Sequence, residues 1–415
     1  MKRARLRMAE DRCCQKDPCA VTTSTPEPAR RKRLPISLSN ERLAGLFWQI
    51  VVVGIAIAVV TWLWSNAVHN LSVRRISTGF AFLGREAGMP IADAWLSYSP
   101  KNTYLRAFIV GIVNTLRVAV IGVVLATVLG TLIGIARLSS NWLLSRLAAV
   151  YVEVLRDLPL LLQLLFWYVL MQGLPAARTA WIPIDGVYLS NRGLVLPSIP
   201  IEEGNLWVIG MAAVGLMALY ALRRRLIARQ LLDGQPRPVW PYALVLVVGL
   251  PALVSWGLGV SWTITMPELR GFNFVGGLTL TPEYFALLVA LVTYTSAFIA
   301  EIVRSGIQAV PRGQWDAAMA LGLRRSFVLQ HIVMPQALRV IIPPMTSQYL
   351  NLIKNSSLAV AVGYQDIVSI ANTTLNQTGQ AIEAIALIML VFLTISLGIS
   401  LLMNWYNARV ALVER

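Results

Sequence analysis

The chain has 415 residues, of which 56% are hydrophobic and 13% are charged. Soluble domains carry roughly 25% charged residues, so this composition excludes an ordinary soluble protein and predicts a membrane protein with several spans. The net charge of +16 comes from short basic clusters between apolar runs. That distribution is typical of cytoplasmic loops, and we expect no nucleic-acid partner.

The first 43 residues are polar, with eleven basic and five acidic side chains, and we predict that residues 1–43 form a disordered basic cytoplasmic tail. All three cysteines, Cys13, Cys14 and Cys19, lie in this tail. No second set of Cys or His stands at zinc-site spacing, so we predict no metal site. The apolar run 44–65 is too long and begins too late for a signal peptide, which predicts an extra N-terminal transmembrane helix.

Eight apolar segments follow one another along the chain, and we expect each to cross the membrane as a helix. The segments are 44–64, 107–136, 158–172, 206–222, 241–258, 282–302, a segment from Val340 onward, and 384–403. Segments four and five have a second interpretation as a re-entrant pair. We expect Pro343 and Pro344 to interrupt segment seven.

Two local signals predict how the helices begin and pack. Ala126, Gly130 and Gly134 recur every four residues, a spacing that lets two helix backbones approach closely in lipid, or that reflects ordinary glycine tolerance in a span. The sequence 281–283, Thr-Pro-Glu, supplies an N-cap, a first-turn proline and a first-turn acid, so segment six should begin there.

Residues 141–157, which precede segment three, contain scattered polar residues. We predict an interfacial helix that turns at Pro159 into a shorter span. Glu153 and Arg156 are three residues apart and could pair on one helical face. Gln163 is a lone amide in an apolar run, and we interpret it as a contact between helices rather than a ligand.

The orientation follows from the basic residues. With eight spans and an inner N-terminus, the inner segments carry 25 of the 36 Lys and Arg residues and the outer loops carry 8. Because basic residues accumulate on the cytoplasmic side, both termini are predicted to be cytoplasmic. The polar, basic stretch Asp316–Pro335 is then cytoplasmic as well.

This stretch, which we call the island, predicts a helix-turn-helix. Trp315, Ala318, Met319 and Gly322 fall on one helical face, whose small side chains would let a partner approach. Gly322 is suited to a left-handed conformation that ends the first helix. Pro335 is expected to stop or redirect the second helix.

The spacing of the island resembles a known motif. Asp316-Ala317-Ala318, then Gly322, then Ile332 to Pro335 is similar to the cytoplasmic loop of ABC-importer permeases, with Asp316 in place of the usual Glu and Met334 in place of Leu. Residues 151–163, 293–318 and 349–359 resemble the polar amino-acid branch, although Asp157 stands where Gly is usual. Residues 77–88 and 271–283 look like permeases of general L-amino acid importers.

The resemblance implies an all-α, polytopic protein of about eight transmembrane helices: a type I importer core of five helices plus three extra. The permease domain would be 104–407, with inserted helices at about 205–258 and a cytoplasmic coupling loop at 304–338. It also implies a bacterial inner-membrane location and transport of amino acids into the cytoplasm by alternating access.

The partners implied are ABC ATPase subunits, a second and related permease, a periplasmic amino-acid-binding protein and membrane lipid. None of the five Lys residues follows a Gly, so the chain has no P-loop of the form GxxxxGK[ST]. We therefore expect a non-catalytic subunit without cofactors, with ATP bound by the partner. The alternative is an ion-coupled secondary transporter, which would need acids buried in the spans, where this sequence has almost none.

The predicted functional residues form two groups. The resemblance implies that the ATPase-coupling residues are Asp316, Ala317, Ala318, Gly322, Ile332 and Pro335. Polar groups at membrane depth are costly and mark candidate pathways, so the predicted substrate pathway comprises Thr293, Thr295, Ser296, Asn351, Lys354, Asn355, Ser356 and Ser357. The alternatives are hydroxyls bonded back to their own helix, and a Lys354 cluster that packs against the partner permease or snorkels to the interface. Glu301 and Arg304 are interpreted as a structural pair that positions the island.

Overall fold

The computed structural model describes residues 40–73, 79–199, 203–233, 238–260 and 263–410. The chain divides into two compact units, Met1–Arg74 and Arg75–Arg415. Most of the predicted tail, 1–43, lies outside the described residues. The described part of the first unit is helix α1 (Asn40–Val73), which includes the segment 44–65 that was predicted to be an extra span.

The second unit is built mainly from helices. Several are joined without a break: a π-helical turn (Leu244–Gly249) links α6 to α7, and another (Leu329–Val333) links α10 to α11. The helices are α2 (Tyr104–Arg137), α3 (Trp142–Asp157), α4 (Leu160–Gln172), α5 (Glu203–Asp233), α6 (Trp240–Ala243), α7 (Leu250–Gly257), α8 (Pro282–Gln308), α9 (Arg312–Ala320), α10 (Arg325–Val328), α11 (Met334–Asn355), α12 (Ile367–Thr378) and α13 (Ala381–Val410).

Five stretches among the described residues are long and apolar enough to cross a membrane: α1, α2, α6–α7, α8 and α13. The bent pair α3–α4 brings the number to six if it counts as one span. A helical, polytopic membrane protein is thereby confirmed. Two of the eight predicted spans are not among these candidate membrane spans: segment four, which lies in α5, and segment seven, which lies in α11. Pro343, Pro344 and several polar side chains lower the hydropathy of α11.

Helices α2 and α8 form the centre of the second unit, and small residues let them touch. A Cβ atom added to Gly130 would lie 2.7 Å from the Cβ of Ile299, and one added to Gly134 would lie 2.7 Å from the carbonyl oxygen of Ala300. Ala126 is completely buried one turn earlier. The predicted close approach of helices along this ladder is confirmed, and its partner is α8.

The chain turns by 104° between α3 and α4. Pro159 is the N-cap residue of α4, and the Gln163 amide donates hydrogen bonds to the carbonyls of Leu155 (2.9 Å) and Leu158 (3.1 Å). Gln163 therefore satisfies carbonyls at the end of α3, as a contact between helices. Glu153 and Arg156 do not pair, because the Arg156 guanidinium lies over the ring of Phe298 instead.

Two small sheets occupy stretches for which the sequence predicts only loops. One has four antiparallel strands in the order β1 (Trp181–Ile184), β2 (Val187–Ser190), β3 (Gly193–Leu196) and β6 (Leu278–Leu280). The other pairs β4 (Glu268–Arg270) with β5 (Asn273–Val275). Strands of three or four residues are too short to show a period in the sequence.

The inserted helices pack against each other. Gly215 of α5 faces the π-helical turn between α6 and α7, where an added Cβ would lie 2.0 Å from the carbonyl oxygen of Leu246. Only glycine fits so close to a backbone carbonyl. This contact fixes where the two halves of the insertion meet.

Candidate functional site: the island and the polar groups of the membrane helices

The island begins within α9, a helix that starts one turn after α8 ends. Helix α9 stops at Ala320, and Gly322 follows with φ of +75° and an N–H that donates to the carbonyl of Met319 at 2.9 Å. This positive φ is the left-handed conformation predicted for Gly322, and it turns the chain into α10. Space around Gly322 is open, since a Cβ there would meet nothing within 4 Å.

The face of α9 predicted to meet a partner is only partly free: Met319 is 48% exposed and Gly322 is exposed, whereas the other two residues pack into this chain. Ala318 is 3% exposed and lies in one cluster with Val310, Val328 and Val333. Trp315 packs against the same cluster. The part of α9 left free to a partner carries Asp316, Ala317 and Met319, with Leu321, 79% exposed, just beyond its end.

The second helix of the island does not end at Pro335. The helix continues from α10 through the π-helical turn into α11, with Pro335 in the first turn of α11. Because the helix is continuous here, Pro335 removes one backbone N–H from its interior, and the π-helical turn just before it is the kind of local adjustment that accommodates a proline. Pro335 is exposed, and Ile332 is partly buried against the cluster around Ala318.

An ion network lies where α8 leads to the island. The Arg304 guanidinium donates from Nε to Glu301 Oε2 at 3.1 Å and from Nη2 to Glu301 Oε1 at 2.5 Å. The Arg137 guanidinium, from the last turn of α2, pairs with the same carboxylate. Ser145 Oγ donates to the Arg137 carbonyl at 2.9 Å. The pair predicted from sequence is confirmed, and Arg137 extends it to α2.

The predicted hydroxyls of α8 are engaged locally. Thr293 Oγ1 donates to the carbonyl of Val289 at 2.7 Å, and Ser296 Oγ donates to the carbonyl of Thr293 at 2.9 Å. The Tyr151 hydroxyl lies 2.8 Å from Ser296 Oγ, which ties α3 to α8. Thr295 is buried. These contacts match the alternative in which the hydroxyls bond back to their own helix.

The second predicted group lies where α11 changes its helix type. Pro343 and Pro344 do not interrupt α11, which runs unbroken to Asn355 and is followed by a 3₁₀ helix from Ser356 to Val362. The expected unwound segment is therefore a change from α-helix to 3₁₀ helix, which begins twelve residues after Pro344.

Side chains in this group differ in access. Asn351 and Lys354 are exposed and Asn355 is partly buried. Ser356 Oγ donates to the carbonyl of Ile353, and Ser357 Oγ donates to that of Lys354, both at 2.7 Å. The exposed Lys354 ammonium is thus the charged group in this cluster that is open to a ligand or partner.

A buried polar network at the other end of α8 was not predicted. Arg117 Nη1 and Asp93 Oδ1 pair at 3.0 Å, with both side chains largely buried, and the guanidinium lies 4.1 Å from the centre of the Tyr284 ring. The Asn114 amide donates to the carbonyls of Asp93 (2.8 Å) and Gln365 (2.9 Å). Arg117 in segment two was the one sequence signal for it.

Asp366 lies beside this network as the N-cap of α12. Its Oδ1 accepts a hydrogen bond from the Ser369 N–H at 2.8 Å, while Oδ2 is buried without a described partner. Burial outweighs the backbone hydrogen bonds and raises the pKa of Asp366 to about 7. A carboxyl in that position takes up a proton near neutral pH.

Comparison with known proteins identifies the family. Residues 237–412 match the family described as binding-protein-dependent transport system inner membrane component. The permease protein YhdX of Escherichia coli (strain K12) is 50% identical, over 92% of this chain and 97% of its own length. The general L-amino acid transport system permease protein AapQ of Rhizobium johnstonii is 46% identical, over 91% and 95%. The chain belongs to the family of amino-acid ABC transporter permeases.

Other relatives agree with this membership. The glutamate/glutamine/aspartate/asparagine transport system permease protein BztB of Rhodobacter capsulatus is 41% identical to this permease, over 92% of it and 97% of BztB. Among solved structures, a chain from the "Crystal structure of an amino acid ABC transporter with histidines" is 20% identical and covers 74% of the permease and 95% of itself, at a TM-score of 0.43. That structural likeness is too low to bear on the mechanism.

Proposed function

We propose that this permease is one half of the membrane channel of an ATP-driven importer of polar amino acids, with a separate ATPase that docks on the island. The observation that carries the proposal is the free side of α9 with Asp316 and Ala317, on a helix that follows α8 after three residues and packs through Ala318 into the cluster with Val310. The permease binds no cofactor, and ATP is bound by its partner.

The coupling path runs from α9 into the central helix pair. Force applied to α9 reaches α8 through the short connection 309–311, and Ala318 transmits it to α11 through the cluster it shares with Val328 and Val333. Glu301 binds Arg137 of α2 and Arg304 of α8, so the inner ends of the two helices move together. Asp316, Ala317, Ala318, Gly322, Ile332 and Pro335 are the proposed coupling residues.

The substrate would pass beside α11 and α8. The exposed Lys354 and Asn351, with Asn355 and Ser357, are proposed to face the pathway, where backbone carbonyls at a change of helix type suit a zwitterionic ligand. Ser356, which is buried, is proposed to support the helix turn behind them. Thr293, Thr295 and Ser296 are proposed to shape its wall rather than to bind, because Thr293 and Ser296 are bonded to neighbouring groups. Cytoplasmic termini place the island on the inner side.

The relatives' names guide the choice of partners and substrate. A periplasmic binding protein would deliver the amino acid, and a second, related permease would complete the channel. Glutamate, glutamine, aspartate and asparagine are the substrates to test first, because BztB is named for their transport.

Reconstitution tests the proposal against the ion-coupled alternative. Proteoliposomes containing this permease, the second permease, the ATPase and the binding protein should accumulate labelled L-glutamine or L-glutamate only with ATP. Omission of the ATPase should abolish uptake. Gradient-driven uptake by the permease alone would refute the proposal and favour a secondary transporter.

A further inference from the structure

We propose that a polar cavity at the end of α8 opposite the island binds the charged head group of a free amino acid on its way into the channel. The inference rests on the proposed function. The cavity has a volume of about 350 Å³ and is lined by Gln172, Asn191, Arg192, Thr281, Pro282 and Glu283. With roughly 30 Å³ for each water molecule, it has room for about twelve waters, enough for an amino acid of glutamine's size.

The cavity presents one group of each charge. The side chain of Arg192 is exposed, and no described carboxylate lies within ion-pair distance of its guanidinium. Glu283 is partly buried and accepts a hydrogen bond from the Tyr168 hydroxyl at 3.5 Å. Among the described ion pairs, Arg192 and Glu283 are not joined to each other. Their remaining hydrogen-bonding capacity is therefore available to a ligand.

An α-amino acid carries the complementary pair of charges on one carbon atom. A guanidinium binds a carboxylate through two parallel N–H···O bonds, which fixes its orientation as well as its position. Glu283 would accept from the α-ammonium group. The amides of Gln172 and Asn191 offer both donors and acceptors to a polar side chain.

The backbone holds the two charged residues in a fixed relation. Arg192 lies in the turn between β2 and β3, where Ser190 pairs with Gly193. Gly193 lies so close to β6 that an added Cβ would be 2.0 Å from the carbonyl oxygen of Leu280. Glu283 follows three residues later, in the first turn of α8. The turn that carries Arg192 is thus locked onto the strand that leads into the helix carrying Glu283.

The cavity is also connected to the buried network. Thr281 lines it and donates from Oγ1 to Asp93 Oδ2 at 3.4 Å, and Asp93 in turn pairs with Arg117 of α2. A ligand at the cavity would therefore contact a residue that links α8 to α2 at the outer side. This arrangement distinguishes the cavity from an isolated surface depression.

Equilibrium binding with substrate analogues tests the assignment. The complete transporter in nanodiscs, without binding protein, would be titrated with L-glutamine, with its α-amide, which lacks the carboxylate, and with N-acetyl-L-glutamine, which lacks the ammonium. Arg192→Gln should weaken glutamine binding about tenfold or more. It should abolish the preference for glutamine over the α-amide and leave the preference for glutamine over the N-acetyl compound. Glu283→Gln should instead abolish the preference over the N-acetyl compound.

A matched control is available on the same loops. Arg178 is also exposed, but it stacks on Phe272 at 4.1 Å and lies outside the cavity lining, so Arg178→Gln should keep both preferences. Unchanged preferences in Arg192→Gln and Glu283→Gln, or equal losses in Arg178→Gln, would overturn the site. ATP-dependent uptake by the wild type would then still support the proposed function, whereas its absence would overturn both.

Discussion

Gly322 provides a sharp test of the coupling role of the island. Its φ of +75° is a conformation that costs an L-residue roughly 1–2 kcal/mol, and β-branched side chains tolerate it worst. A side chain at this position meets open space, so Gly322→Val should change the backbone turn without a clash. If the strain displaces α9, binding of the ATPase should weaken about 5–30-fold.

The assay compares two substitutions of similar size. Titration of detergent-solubilised permease with the ATPase should show weaker binding for Gly322→Val, and ATP-dependent uptake in proteoliposomes should fall in parallel. Gly322→Asn should remain close to the wild type, because asparagine visits the left-handed region. Membrane insertion should not change, and the backbone strain should lower the melting temperature by no more than about 10 °C. Full ATPase binding and uptake by Gly322→Val would refute the reasoning.

Three further predictions concern packing and charge. Gly134→Ala should destabilise the permease by about 1–3 kcal/mol, since its Cβ would press on a carbonyl oxygen of α8; Gly398→Ala, in open space on α13, is the control in thermal unfolding. Glu301→Gln should lower the melting temperature. In a double-mutant cycle with Arg137→Gln, the effects on the free energy of unfolding should be non-additive, and additive effects would contradict the ion pair. Because burial raises the pKa of Asp366 to about 7, the folded state retains a proton that the unfolded state releases near pH 4. Stability should fall as the pH rises through that interval, and an equal pH slope in Asp366→Asn would contradict this assignment.

Local signals in the sequence were sufficient to predict a helix start, a turn or a bend wherever one residue determines the backbone geometry. Thr281 caps α8 by accepting from the Tyr284 N–H, and Pro282 occupies its first position, as predicted. The positive φ of Gly322 and the bend at Pro159 follow from backbone rules that need no tertiary information. The ladder from Ala126 to Gly134 likewise indicated a close contact, although its partner helix could not be read from spacing.

The sequence predictions were wrong or incomplete where tertiary contacts determine the structure. Pro343 and Pro344 stay within α11 because helix propensity is overridden by packing on both sides of the prolines. Ala318 was assigned to a partner-facing surface, but spacing alone does not tell which face of α9 a chain buries against itself. The pairing of Arg137 with Glu301 joins residues 164 positions apart, which no local pattern can show. The coupling and pathway residues remain predictions.

Helix α8 joins the cavity lined by Thr281 to the island, and its geometry has a mechanical consequence. It has 27 residues, with its single proline in the first turn, so it behaves as an unhinged rod about 40 Å long. A tilt of about 5° around one end moves the other by about 3.5 Å, comparable to the displacement of one helix ridge past another. A lever of this length turns a small rotation at the island end into a shift, at the cavity end, large enough to open or close a gap the width of a water molecule.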